Sequence, residues 1–520
     1  MACSLSREVR VRIEKLLLLV LAGGSLLVAQ TPTITGVLNT ESPTPTQNAP
    51  LCPGILATIY GTGFGSSASA VTVLVGTENA YILAGTGQVT PTQINVQLPY
   101  DVPTGSANVV VTVAGASSAP FSITLQAVAP TLAVYPQLGG IGGFVDPKGN
   151  YVSNTNLATP GESLTVYPTG LGPTNPPIAA GVTPMAQPTA SMPNLTVGGV
   201  AATVVSSTLS SYAGLYQVNF TVPANVQGTV PVVLTIDGQS SQPVNLPLFG
   251  ISAIVNGGSF VSTGTATPEE IVTIYANGMG SKDETTTGYQ TTTAQGVSVS
   301  FNGIAAPIFA LVTENNQLNV IVPTELPSTG TVQVQLTTAA GTSPNFPLIM
   351  DAAAPGIFLV NDPANAMADI AAAQFANTTW LVVPTSAATA LGLAQNCTAS
   401  SAPALSNCGQ PAAPGDYVVL YVTGLGEATP NGSTSGTPLA TGTAAPSSGS
   451  PLYETTATPT VQIGGTPVTV LFSGIAPGFA GLYQIDFQVP MGVMEGDSVP
   501  ITVSMPGSTT GTASIAIHSR

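Results

Sequence analysis

The chain has 520 residues, 44% of them hydrophobic and 6% charged, with 56 Gly and 46 Pro. That length suits three or four domains of ordinary size, and so much Gly and Pro excludes an architecture of long helices. Seven Lys and Arg stand against 23 Asp and Glu, a formal net charge of −16, so the surface cannot neutralise a phosphate backbone and neither nucleic acid nor an anionic membrane is an expected partner.

Residues 1–30 read as a secretory signal peptide. Arg7, Arg10, Arg12 and Lys15 precede an apolar run from Leu16 to Leu21 and on through Leu26, Leu27 and Val28, and cleavage is expected near Ala29 or Gln30. The run falls short of the ~20 residues that a membrane span needs, and the polar TPTIT follows it. No transmembrane segment is therefore expected once the signal is removed. Cys3 precedes the apolar run and is not a lipobox cysteine, so lipid anchoring is not expected. The cations left after processing are Lys148, Lys282 and Arg520, against 21 acids.

From residue 53 onward one pattern recurs four times: PGILATIYGTGFG from Pro53, PGESLTVYPTGLG from Pro160, PEEIVTIYANGMG from Pro268 and PGDYVVLYVTGLG from Pro414. The shared frame is Pro, six residues, Tyr, two residues, Gly, a large apolar residue, Gly. Residues two apart before each tyrosine are apolar, as in Ala57 and Ile59 or Val418 and Leu420, which is the period of a half-buried strand. The glycine pairs Gly63 and Gly65, Gly170 and Gly172, Gly278 and Gly280, and Gly424 and Gly426 then read as a sharp structural turn with positive φ. Such a turn folds the plug between its glycines (Phe64, Leu171, Met279 or Leu425) into the core. A phosphate-binding loop would need a helix directly after it, whereas turn sequences such as PTNPP and EATPNGST follow. The repeat tyrosines Tyr60, Tyr167, Tyr275 and Tyr421 are expected to be core or corner residues.

A second signature follows each first one: QINVQLP from Gln93, QVNFTVP from Gln217, QLNVIVP from Gln317 and QIDFQVP from Gln484. It alternates like a strand with a buried face and ends on proline, which has no amide for the ladder. A short turn leads each copy into another β-rich run, and two consecutive strands so joined suit an antiparallel sandwich. Four repeats predict an all-β chain, a tandem array of four immunoglobulin-like antiparallel β-sandwiches. Their expected bounds are 31–127, 128–249, 250–351 and 352–520. Copies one and three match in length, as do two and four, so the array reads as two tandem pairs. The second member of each pair carries an extra early hairpin, in which Tyr151 and Trp380 correspond. In the fourth, residues 384–413 and 427–458 are expected to be inserted loops, with room for a short helix within Thr385 to Gln395.

These residues carry a family resemblance. The first and third copies resemble IPT/TIG immunoglobulin-like domains, in which a strand ending in G-x-x-F-G is followed by one ending in Pro. Each pair also resembles the uncharacterised C-terminal module of acidobacterial exported proteins, on NGGSF from Asn256, AAAPGIF from Ala352, GLYQVNFTVP from Gly214 and the stretch from Val461 to Pro490. The resemblance implies fold and export and no activity. The chain departs from the repeat at Glu269, which stands where the other copies have Gly.

Chemistry is sparse. His518 is the sole histidine, which excludes a Ser-His-Asp, Cys-His or His-based metal site in the folded body. A carboxylate pair drawn from Asp351, Asp362 and Asp369, or from Asp146 and Glu162, could in principle run glycoside hydrolysis, but none sits in a distinguishing pattern. No D-x-D-x-D-G calcium loop occurs, and no cofactor is expected. In an exported chain Cys397 and Cys408 are expected to form a disulfide, leaving Cys52 as a buried small residue. Tyr151, Trp380 and Tyr453 are the candidate ligand-facing aromatics. The reading is an exported, non-catalytic array with an adhesive, structural or spacer role at the cell surface or in the extracellular matrix, whose partners are polysaccharide or other surface proteins. The alternative is a carbohydrate-binding accessory protein.

Overall fold

The computed structural model describes residues 31–42, 49–182, 186–286, 288–361, 369–395, 397, 407–508 and 510–519. The expected signal segment and Asp362 lie outside them. Among the described residues no helix is long and apolar enough to cross a membrane. The protein is an all-β chain of immunoglobulin-like antiparallel sheets. It divides into two compact units, one of Met1–Gly149, Ser163–Thr221 and Val232–Val244, the other of Asn150–Glu162, Val222–Pro231 and Asn245–Arg520.

The first unit begins with two sheets closed face to face. One has the order Thr33–Asn39, Leu56–Thr62, Gln93–Gln97, Tyr81–Ile82; the other Phe121–Leu125, Gly105–Val113, Val71–Val75, Glu78–Asn79. Period-two alternation sends Ile59, Ile94 and Val96 from one sheet, and Val73, Val109 and Val111 from the other, into a common core. The consecutive strands Gln93–Gln97 and Gly105–Val113 lie in opposite sheets, so the turn after Pro99 crosses the sandwich and is no hairpin. Further along, Val200–Leu209 pairs with Asn194–Val197 through its first residues and with Tyr216–Thr221 through its last. A register shift between Val204 and Ser206 separates the two pairings. This bulge lets one strand serve both layers. Phe144 and Phe220 meet edge to face beneath it, 6.2 Å apart.

The second unit repeats the plan. A sheet of Gly250–Asn256, Ile271–Asn277, Gln317–Ile321, Ile308–Val312 and Glu284–Thr285 faces one containing Phe346–Met350, Gly330–Thr338 and Ser298–Phe301. Their shared core includes Ile274, Leu318, Phe301 and Val334. Beyond it, Ala373–Phe375, Tyr417–Thr423, Tyr483–Gln488 and Val470–Ile475 face Thr510–Ile517, Gly496–Ser504 and Thr460–Ile463 across a core holding Leu420, Ile485, Phe487 and Ile501.

The two insertions are more regular than loops. Residues 384–413 contain a helix, Thr385–Ala390, and a strand, Gly409–Gln410, parallel to Leu381–Val382. Within 427–458, Ala428–Pro430 pairs with Tyr453–Thr455. Ala428, Thr429 and Gln410 are buried, and buried backbone must find partners. The repeat tyrosines also depart from expectation. Tyr60 is 40% exposed and Tyr167, Tyr275 and Tyr421 are half-buried, because each follows directly on a core-facing residue such as Ile59 or Leu420 and so points to the sheet's other face. The buried tyrosines are Tyr216 and Tyr483, each just ahead of the second signature.

Candidate functional site

All eight signature glycines have positive φ, from 73° at Gly424 to 91° at Gly280, and the plugs Phe64, Leu171, Met279 and Leu425 are buried. At five of them, Gly170, Gly172, Gly278, Gly424 and Gly426, space is also a constraint, most tightly at two. A Cβ on Gly170 would lie 2.0 Å from the Ala129 carbonyl oxygen, and one on Gly424 would lie 2.1 Å from that of Ala354. In each unit this bend seats one sandwich against the strand that leaves the previous one.

The joint in the first unit is closed. Leu56 N donates to Thr169 Oγ1 at 3.4 Å, and Thr169 Oγ1 donates to the Gly214 carbonyl at 2.8 Å. Asn39 Nδ2 donates to Thr131 Oγ1 at 2.8 Å. The Tyr216 hydroxyl donates to the Gly172 carbonyl, and the Tyr100 hydroxyl lies 3.3 Å from it. Gln97 is wholly buried and uses its whole amide: Nε2 donates to the Gly54 carbonyl at 3.1 Å and to Tyr100 Oη at 3.2 Å, while Oε1 accepts from Gly181 N at 2.7 Å. The Tyr100 ring occupies the space that a Gly54 side chain would need, with Cε1 2.1 Å from its Cβ position. Burial pushes the neighbouring Cys52 thiol up to about 12, so Cys52 is an inert core residue.

The second unit has the same latch with different contents. Ile271 N donates to Thr423 Oγ1 at 2.8 Å, Thr423 Oγ1 to the Gly481 carbonyl at 3.0 Å, and the Tyr483 hydroxyl to the Gly426 carbonyl at 2.7 Å. By the repeat alignment, Thr267, Glu269, Glu270 and Thr324 stand where the first unit has Cys52, Gly54, Ile55 and Tyr100. Glu270 is fully buried. Its Oε1 accepts from Asn256 Nδ2 and its Oε2 from Thr267 N, both at 2.8 Å, and Asn256 Nδ2 also reaches the Ala354 carbonyl at 3.0 Å. Glu269 is 5% exposed and keeps the left-handed backbone of the glycines it replaces, with φ of 68°. Burial pushes both carboxyls up to about 8; at Glu270 the bonds from Thr267 and Asn256 oppose the rise, while at Glu269 burial acts alone. Beside Glu269 and Thr324 there is a cavity of about 370 Å³, lined also by Leu425, Glu427, Thr456 and Met505 among others. The 427–458 insertion supplies part of its wall, and Thr441 fastens the insertion by accepting from Thr324 N at 2.8 Å and donating to Glu325.

The residues singled out by sequence are placed elsewhere. Cys397 and Cys408 form a disulfide, with Cα atoms 6.4 Å apart. Trp380 is only 8% exposed and meets Phe375 edge to face at 6.5 Å; the hairpin turns it inward, and as a ligand-facing platform it is corrected. Tyr453 packs against the core, which removes it as well. Tyr151 is 49% exposed. Asp146, Glu162 and Asp351 accept hydrogen bonds from backbone N–H groups of their own turns, those of Lys148, Thr159 and Ala352. Asp369 is exposed. His518 lies 2.8 Å from Asp497 at the surface. Glu270, Asn256 and the cavity went unrecognised in the sequence; the available signal was Glu269 in a glycine position.

Residues 40–126 match the family model of the IPT/TIG domain. No curated protein matches the chain. Among solved structures it is similar to the plexin A4 full extracellular region at 11% identity and TM-score 0.27, covering 93% of this chain and 30% of that one. It is similar also to the S-layer protein rSbsC(31-844) at 13% identity and TM-score 0.16, covering 94% and 55%. A third is the Bacteroides ovatus SGBP-B of a mixed-linkage glucan utilization locus, in complex with a heptasaccharide, at 14% identity and TM-score 0.15, covering 56% and 65%. The chain thus spans less than two thirds of each, and likenesses this low carry no argument about its role. What the comparisons establish is that its first sandwich is similar to an IPT/TIG domain.

Proposed function

We propose that the chain is an exported, non-catalytic array of four immunoglobulin-like sandwiches, divided near residues 127, 249 and 351. In this reading it acts as a spacer or adhesive element at the cell surface or in the extracellular matrix, and each pair is one copy of the module of acidobacterial exported proteins. The observation that carries it is the latch between successive sandwiches within each unit, where Thr169 or Thr423 is buried between a strand amide and a glycine carbonyl. A buried, fully bonded joint of this kind resists bending, because opening it strands polar groups that cost about 1–3 kcal/mol each. Resistance to bending is what a spacer needs. Polysaccharide or another surface protein is the partner class, and of the three aromatics Tyr151, Trp380 and Tyr453 it is Tyr151 that stays exposed and supports sugar binding.

Protease shaving of intact cells, with mass mapping of the released chain, tests the reading. Surface peptides and an amino terminus between Val28 and Pro32 are expected. A cytoplasmic protein that retains Met1 would overturn it.

A further inference from the structure

We propose that the cavity over Glu269 is a binding site for a small molecule carrying a primary ammonium group. The inference goes beyond a spacer role and does not depend on it. Three of the four repeats place glycine at this position, with φ of 79° at Gly54, 83° at Gly161 and 95° at Gly415; Glu269 holds 68°. A side chain in the left-handed region is strained, and here that side chain is also a buried carboxyl. Neither choice favours folding, and the strain points to a use. Among the described residues no hydrogen-bond donor reaches the Glu269 carboxylate. It lines a cavity of about 370 Å³, a volume in the range of small-ligand sites.

The lining selects the ligand. It contains no Lys, Arg or His, and Glu427 adds a second carboxylate, so an anion is excluded and a cation is attracted. No aromatic residue lines it, which leaves neither a stacking platform for a neutral sugar nor a cage for a quaternary ammonium. Among the described residues no cluster of three His, Cys, Asp or Glu could hold a metal ion. A primary ammonium fits what remains, since its three N–H groups can be shared between Glu269 and the hydroxyls of Thr324 and Thr456, with Leu425 and Met505 beside its carbon skeleton. Binding should also move a proton. Unliganded Glu269 stays protonated up to about pH 8, with Glu270, Glu427 and Tyr483 as the titratable groups around it. An ammonium beside it favours the ionised form, so binding below that pH releases a proton and tightens as pH rises toward 8.

The test is calorimetric titration of the full chain with ethanolamine and 1,5-diaminopentane at pH 6 and 8, against glucose, tetramethylammonium and calcium chloride. At least one primary amine should bind, more tightly at pH 8 and with proton release at pH 6, while the three controls should not. Glu269→Gly should weaken amine binding by about tenfold or more without lowering the melting temperature, since glycine relieves the backbone. Glu269→Gly with Thr324→Tyr, which rebuilds the closed joint of the first unit, should abolish binding in a folded protein. The proposal is overturned if no amine binds at millimolar concentration, if glucose or calcium binds as well as the amines, or if Glu269→Gly binds like the parent.

Discussion

The two joints are built on one latch and filled in opposite ways. In the first unit Tyr100 lies against Gly54, and Gln97, Tyr100 and Tyr216 satisfy one another. In the second, Glu269 replaces the glycine, Thr324 replaces the tyrosine, and a cavity lies beside them. The two exchanges belong together, because a Tyr100 ring and a side chain at residue 54 would compete for one space. The closed joint therefore shows what the fold needs, and the open one shows what has been added at a cost in strain and buried carboxyl groups.

The largest effect is expected at the latch itself. Gly424→Val drives a β-branched side chain into the Ala354 carbonyl in a left-handed conformation, and should destabilise the second unit by about 4 kcal/mol while the first melts as before. Gly280→Ala, where nothing lies within 4 Å of a Cβ, should cost about 1 kcal/mol. Equal losses would show that the bend, and not the close approach, matters. Next comes the filling: Tyr100→Thr should cost the first unit about 3 kcal/mol by leaving a cavity, whereas Thr324→Tyr should destabilise the second unit alone and recover when combined with Glu269→Gly. Urea melts of single and double variants measure both, and strict additivity would break the pairing argued above.

A disulfide distinguishes the units further. Replacing Cys397 and Cys408 by Ser should lower the stability of the second unit by about 2–3 kcal/mol and leave the first, whose described cysteine is the free and buried Cys52, untouched. The units should differ also in their dependence on pH. Glu269 and Glu270 keep their protons to about pH 8 when folded and lose them near 4.5 when unfolded, so the folded state holds more protons between those values and the second unit loses stability as pH rises through them. A progressive loss of stability between pH 5 and 8 is expected, read by hydrogen exchange in each unit. In the first unit burial raises Glu41, and the loss there should be smaller than at the buried pair. Glu269→Gly should reduce the slope in the second unit.

The fold class was legible because it rests on local rules. Period-two alternation around Ile94 and Val96 names the core face, and Gly-x-Gly spacing names the bends, without knowledge of any distant residue. The repeat tyrosines were misread although the same alternation places them on the outer face. The analogy of a tyrosine corner prevailed over the parity of Ile59 and Tyr60, and the residues in that role are Tyr216 and Tyr483. Trp380 was misplaced for a different reason: its burial depends on Phe375 across a hairpin, a contact that composition does not reveal. Half of the candidate site was visible as Glu269 breaking the glycine pattern, and the other half, Thr324, was unremarkable until the fold set it opposite.

By itself the sequence determined the repeat, the strands and the positions where only glycine suits the backbone, since these follow from side-chain period and allowed dihedral angles within a few residues. Only the tertiary structure decided that the outer face of the strand ending at Gln97 would be covered, and that Glu270, on the core-side parity of Val272 and Ile274, would be buried with Asn256 and Thr267 as its partners. It alone decided that Glu269 and Thr324 would line one cavity, because a cavity is a property of residues more than fifty positions apart meeting in one place.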